Sequence, residues 1–350
     1  MVTALIFVGG RTEMATARME RERACVTGAT GYVGSMLVKS LLEKGYAVNA
    51  TVRDPANSKK VAHLLDLQVL GDLKIFKADL TEEGSFDDAI NCCDFVFHVA
   101  TPMNFQSKDL ENDMIKPTIN GTLEILKSCV KAKTVKRVVY TSSVAAVARK
   151  KLTGTGHVLD EESWSDVEYL TSEKPLSWGY AVSKTLAEKA AWKFAKENNI
   201  SLITINPGVI TGPSLTPEVP VTVGIALSLL TGNEVGINFL KSMQQMSGSI
   251  SIVHVEDVCR AHIFVAENES ASGRYICCAA NTRVPDLAKF LSKRYLPYNL
   301  LTDFSDFLVN IESIISSEKL IKAGFSYNYG MEEMYDESME YLRAVGLLAN

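Results

Sequence analysis

The sequence predicts an α/β fold in which a doubly wound parallel sheet is followed by a smaller C-terminal lobe. Three observations carry that prediction. From residue 24 to about residue 204, short β-rich apolar runs alternate with helical patterns, as expected of parallel strands covered by helices on both faces. The first such junction, residues 24–44, joins an apolar run to an amphipathic one through a turn carrying Gly28, Gly31 and Gly34. Beyond Pro207 the alternation loosens, and Pro213, Pro217 and Pro220 break the chain.

Taken in order, the chain begins with a leader unlike the rest. Residues 4–8 are apolar but too few for a membrane span or a signal core. Met14 and Met19 follow, then an Arg/Glu cluster ending at Arg23. Residues 1–23 read as a disordered leader, with Met14 or Met19 as alternative starts. Strands are expected at 24–28, 47–52, 73–78, 95–100, 138–142 and 202–206. Helices are expected near 32–44, 58–69, 85–90, 111–133 and 178–198. In the C-terminal lobe the pattern predicts an apolar helix over 221–231, a strand over 250–254 leading into a helix over 256–266, a strand over 273–279, and helices over 284–294 and 331–345. The 221–231 segment is a candidate wall for an apolar, planar ligand. Within this stretch His254, Glu256, Asp257 and His262 read as capping and packing residues rather than metal ligands.

Composition narrows the function. At 350 residues and 47% hydrophobic content the chain can bury a large core. A net charge of −5 and an isoelectric point near 5.7 argue against a nucleic-acid-binding surface. Seven cysteines, with adjacent pairs Cys92–Cys93 and Cys277–Cys278 but no C-x-x-C or finger spacing, fit reduced thiols and a cytoplasmic location. No stretch reaches membrane-spanning length.

The turn Gly28-Ala29-Thr30-Gly31-Tyr32-Val33-Gly34 has the spacing of a dinucleotide site. The first glycine permits the tight turn, the second lets backbone approach a pyrophosphate, and the third lets helix pack on sheet. The second strand ends at Arg53, 19 residues past Gly34. An acid there would bond a ribose 2′-hydroxyl, whereas an arginine suits a 2′-phosphate. Arg53 offers a planar fork of donors and Lys60 a second cation, so the expected cofactor is NADPH. Asp54, next door, is the competing acid. Asp79 closes the third strand and can accept from an adenine amine, or cap the turn at Thr81. Val99, Ala100, Thr101 and Pro102 form a small-residue segment able to pass under the dinucleotide. His98 before them reads as a packing residue.

The fifth strand ends in Thr141-Ser142-Ser143, and Tyr180 and Lys184 follow in a helical pattern 37 and 41 residues past Ser143. The i, i+4 spacing puts tyrosine and lysine on one helix face. A neighbouring ammonium stabilises a phenolate, and a strand-end serine can orient a reacting oxygen.

This ordered set resembles the extended short-chain dehydrogenase/reductase family and implies a Rossmann sheet. The resemblance implies that Ser143, Tyr180 and Lys184 are catalytic, with Lys184 and Tyr180 also touching cofactor. It also carries Thr30, Tyr32, Val33, Leu80 and Pro207 into the cofactor-contacting set. Segments such as GTGHVLDEESWSDVEYL, AEKAAWKFAKENNISLIT, SGSISIVHVEDVCRAHIFVAE and SGRYICCAANT are similar to the plant anthocyanidin reductases. That group reduces anthocyanidins with NADPH to 2,3-cis-flavan-3-ols. The chain departs from its usual pattern at Ala29, Gly34, Ala181 and Gly208. Two other readings stay open: reduction of a dihydroflavonol or other phenolic carbonyl, and a catalytically silent NADPH-binding sensor. The expected organisation is a cofactor domain over 24–206, rejoined by segments after 250, and a mainly substrate-binding lobe over 207–350, with a small flavonoid as the partner.

Overall fold

The computed structural model describes residues 21–102, 107–216, 218–295, 307 and 311–348. Residues 1–20 of the expected leader, and Pro217, lie outside the described residues. The first strand, β1 (Arg23–Thr27), starts one residue inside that leader, and its last four residues are fully buried. A central parallel strand is covered on both faces, so its side chains need not alternate in polarity. Helix α1 (Tyr32–Glu43) buries Met36, Leu37, Val38, Leu41 and Leu42 on the sheet and stops before Gly45, which takes φ +91°. The wound sheet continues through β2 (Ala47–Val52), α2 (Ser58–Asp66), β3 (Leu73–Lys77), α3 (Asp87–Ile90), β4 (Phe95–His98), α4 (Lys116–Ala132) and β5 (Arg137–Thr141).

Next come β6 (Gly154–Leu159), α5 (Val167–Glu173), the long α6 (Trp178–Glu197) and β7 (Leu202–Pro207). The C-terminal part holds β8 (Val209–Thr211), α7 (Val221–Ala226), α8 (Ser228–Thr231), α9 (Glu234–Ser247), β9 (Ile250–His254) and α10 (Val255–Glu267). It ends with β10 (Gly273–Cys277), β11 (Ala280–Thr282), α11 (Val284–Arg294), β12 (Ile311–Ile315), α12 (Glu318–Lys322) and α13 (Met331–Ala344).

Seven parallel strands run β3-β2-β1-β4-β5-β7-β10. Chain order reverses between β1 and β4, and ligands of such sheets bind outside the strand ends at that switch point. The two faces carry separate cores. Cys25, Val96, Val138 and Tyr140 face one way, with Ile125, Leu126 and Ala191 from α4 and α6. Ala24, Val26, Phe97, Val139 and Ile205 face the other, with Leu37 and Leu41 of α1 and Val258 and Val265 of α10. A third core, built on Leu240, Ile252, Leu287 and Met339, belongs to the lobe.

Several elements differ from the sequence reading. The strand expected to reach Ala100 stops at His98, because the Val99 and Ala100 N–H groups both donate to Thr27 Oγ1 at 3.1 Å instead of to a neighbouring strand. The helix expected over 111–133 opens with a π-helical turn at Glu111–Ile115; α4 follows, with Pro117 in its first turn. A proline without an N–H is tolerated there. The apolar helix over 221–231 is two, divided at Leu227. Helix α9 and the parallel pair β6–β12 were not anticipated.

The strand over 273–279 belongs not to the lobe but to the edge of the main sheet, as β10. A second, three-stranded sheet, β11-β9-β8, lies where the chain passes between the main sheet and the lobe. There Gly208 N–H donates to Cys277 O at 3.1 Å, and a Cβ on Gly208 would come within 2.6 Å of Ser251 O. No described helix is long and apolar enough to cross a membrane.

Candidate active site

The glycine turn sits at the switch point. Gly28 has φ +68°, and a Cβ there would lie 2.8 Å from Ala100 Cα, so the segment leaving β4 and the turn touch backbone to backbone. A Cβ on Gly34 would run into the Gly28 carbonyl. Gly31 opens α1 without a side-chain cap, and the first turn holds no acid. Its N–H groups therefore remain available to an anion, and the turn fits a dinucleotide pyrophosphate. The Tyr32 hydroxyl points away from that role: it donates to Gly212 O at 2.9 Å, tying the turn to the lobe.

Arg53 follows β2 immediately, and Lys60 lies in the first turn of α2; both are exposed. Neither side chain has a hydrogen-bond or ion-pair partner among the described residues. Asp54 is occupied locally, accepting from Ala56 N–H at 3.0 Å. Asp79 accepts from Thr81 N–H at 2.9 Å and from Thr81 Oγ1 at 2.7 Å, and these bonds hold its carboxyl below the usual range, with help from Arg53. It caps the turn while staying half-buried. Leu80 packs over Gly121 of α4. Thr27 fixes the β4 exit by accepting from two N–H groups, and it also bonds His98 Nδ1 at 3.0 Å. His98 Nε2 meets Thr122 Oγ1 at 3.0 Å, and burial pushes its pKa down to about 3. It is a neutral packing residue. Pro207 is buried at the end of β7.

Ser143, Tyr180 and Lys184 are brought together where β5 ends and α6 begins. Ser143 leaves β5 and caps a 3₁₀ turn, its Oγ accepting from Ala145 N–H at 3.1 Å. The Ser143 and Tyr180 side chains are hydrogen-bonded, and both are half-buried. Lys184, one turn along α6, is only 3% exposed. Its Nζ donates to Thr101 Oγ1 at 2.7 Å and to Thr141 O at 2.9 Å. Burial pushes the Lys184 ammonium down to about 7, opposed by Glu188. Burial raises the Tyr180 phenol, while Ser143 and Arg149 pull it back. Arg149 is a second cation that acts on the phenol, and the Lys184 Nζ is bonded to the β4 exit and the end of β5.

Sequence reasoning missed three residues beneath the site. Glu188 is fully buried and accepts from Ser142 Oγ at 2.6 Å, Thr204 Oγ1 at 2.8 Å, Asn206 Nδ2 at 3.0 Å and Arg274 Nε at 2.7 Å. Asn206 Nδ2 also reaches Ser143 O at 3.1 Å. A signal existed: Tyr180, Lys184 and Glu188 form an i, i+4, i+8 polar stripe on a helix face otherwise lined with alanine.

The histidines and acids near β9 are engaged elsewhere. His254 caps α10 and stacks on Tyr329 with ring centroids 3.8 Å apart. Asp257 does not cap as expected; it accepts from Asn328 and Tyr329 N–H and from Arg260. Among the described residues no group of three or more such side chains is gathered as a metal site.

The NAD dependent epimerase/dehydratase family model matches residues 24–278. An anthocyanidin reductase ((2S)-flavan-3-ol-forming) of Vitis vinifera is 66% identical over 330 residues, 94% of this chain and 98% of that protein. A dihydroflavonol 4-reductase of Arabidopsis thaliana is 50% identical over 331 residues, covering 94% and 84%. Among solved structures, vestitone reductase from alfalfa (Medicago sativa) superposes with a TM-score of 0.80 at 38% identity, over 94% of this chain and all of that one.

Proposed function

The chain belongs to the NAD dependent epimerase/dehydratase family, within its anthocyanidin reductase group, and we propose that it reduces anthocyanidins to 2,3-cis-flavan-3-ols with NADPH. The observation that carries this reading is 66% identity to an anthocyanidin reductase along nearly the whole chain, combined with the Ser143–Tyr180 pair where β5 ends and α6 begins. Residues 24–206, rejoined by α10 and β10, hold the cofactor; residues 207–350 mainly form the substrate lobe. Seven unpaired cysteines support a cytoplasmic location.

NADPH, when bound, would supply hydride, and because the conversion takes two hydrides, two NADPH would be used in succession. The glycine turn and the uncapped start of α1 would hold its pyrophosphate, and the exposed Arg53 and Lys60 its 2′-phosphate. Tyr180 keeps its proton through neutral pH, since burial raises its phenol, and hands it to the substrate oxygen that gains charge. Ser143 orients that oxygen. Lys184 fixes Thr101 beside the cofactor path and brings positive charge under the site.

The test is NADPH oxidation with cyanidin, and separately with dihydroquercetin, by wild type and Tyr180→Phe. Cyanidin turnover that falls about 10²- to 10⁴-fold in the variant supports the reading. Turnover of dihydroquercetin alone would move the chain to the dihydroflavonol reaction, and tight NADPH binding without turnover would make it a sensor.

A further inference from the structure

We propose that Arg149 binds a deprotonated phenolic oxygen of the flavonoid, so that the site takes the quinonoid or phenolate form in preference to the flavylium cation. The proposal deepens the reading above and rests on it for the substrate class.

Arg149 lies six residues past Ser143 on the segment leaving β5. Its backbone is pinned: Arg149 N–H donates to Ser165 Oγ at 2.8 Å, and Arg149 O accepts from Asp166 N–H at 2.9 Å. The side chain therefore projects from a fixed base, and its Nη1 reaches Met246 Sδ of α9 at 3.7 Å. That places it between the Ser143–Tyr180 pair and the lobe. It is half-buried, as Ser143 and Tyr180 are, whereas Lys184 is sealed beneath.

A guanidinium has five N–H donors. Among the described residues, the weakly accepting Met246 sulfur is the only hydrogen-bond partner of this one, and no carboxylate lies within ion-pair distance. Two arginines of the main sheet are well supplied, whereas the half-buried Arg283 and Arg343, like Arg149, have no carboxylate partner among the described residues. Arg274 has Glu188 and the carbonyls of Glu161 and Ser163, and Arg137 has the carbonyls of Val265, Ala266 and Asn268. The remaining donors of the half-buried Arg149 guanidinium are not sealed from solvent, so they stay available to an anionic ligand.

The electrostatics agree. Burial pushes Arg149 down to about 10, and the Tyr180 phenol is the titratable group that opposes this. Asp166, the nearest acid in sequence on the segment packed against it, turns its carboxylate to Tyr169 N–H at 2.9 Å. A planar phenolic ligand between Tyr180 and α9 would present oxygens to this fork, and a flavylium cation would be repelled by it.

The experiment is equilibrium binding of quercetin to the enzyme–NADP⁺ complex, read by fluorescence quenching across the pH range of the first quercetin ionisation. Wild type, Arg149→Met and Arg149→Lys are compared, with NADPH affinity measured in each. Wild-type affinity should rise as quercetin deprotonates. Arg149→Met should lose that rise and bind the anion on the order of tenfold to a hundredfold more weakly, with NADPH affinity unchanged. Arg149→Lys should keep the rise. An unchanged pH slope in Arg149→Met overturns the proposal. If the methionine variant fails to bind NADPH, the lysine variant decides: loss of the slope there, with NADPH affinity intact, also overturns it. The two readings fail separately. Cyanidin left unreduced by wild type sinks the reaction, while an Arg149-dependent slope for quercetin would still stand.

Discussion

Replacing Arg274 with methionine would leave the Glu188 carboxylate buried and without its ion-pair partner. In the intact protein Arg274 Nε sits 2.7 Å from Glu188 Oε1 and Nη2 3.4 Å from Oε2. The same guanidinium donates to Glu161 O and Ser163 O at 2.7 Å and lies 3.7 Å from the Trp164 ring centroid. Removing one partner of a buried pair destabilises by about 3–5 kcal/mol. Ser142, Thr204 and Asn206 still donate to the carboxylate, which puts the expected loss near the lower end, about 3 kcal/mol. Glu188→Gln removes the other charge but leaves the guanidinium two carbonyls and an aromatic face, so about 1–2 kcal/mol is expected. With neither charge present, the double variant should be more stable than the sum of the single losses implies, by about 2 kcal/mol. Urea unfolding of the four proteins at neutral pH measures all three quantities. A loss under about 1 kcal/mol for Arg274→Met, or losses that simply add, would refute the argument that this pair holds α6 to β10.

Other perturbations follow from the site. Lys184 carries its charge below about pH 7 and loses it above. The kcat/KM for substrate should therefore fall as pH rises past that point, by about tenfold per unit; a profile flat into the alkaline range would contradict the assignment. Arg53→Asp should weaken NADPH far more than NADH in parallel titrations, and equal effects would remove the 2′-phosphate role. Gly28→Ala forces a side chain into φ +68° with its Cβ 2.8 Å from Ala100 Cα. NADPH affinity should drop at least about tenfold, from strain of 1–2 kcal/mol plus displacement of the turn; wild-type affinity would show that the turn can relax.

The parts of the fold written in local pattern were readable. The glycine turn and α1, the strands of the main sheet and the Tyr180–Lys184 face all follow from short-range periodicity. Boundaries failed where a side chain overrode the ladder, as Thr27 does at the β4 exit. Helix α9 was missed although Asn233 caps it and Gly248 ends it in the left-handed region, because glycine and methionine dilute its apolar stripe. The β6–β12 pair joins segments about 150 residues apart, and no local signal foretells such pairing. Arg149 stands beside Lys150 and Lys151, a run that reads as solvated charge until the fold turns one member inward. Glu188 and Arg274, 86 residues apart, were each visible and their partnership was not.

The small sheet of β8, β9 and β11 has a mechanical consequence. Each of its strands adjoins one passage of the chain: β7 into β8, β9 into α10, and β10 into β11. Three covalent connections are therefore riveted side by side by one set of ladder bonds, with Gly208 bonded directly across to Cys277. A clam-like swing would have to shear all three at once.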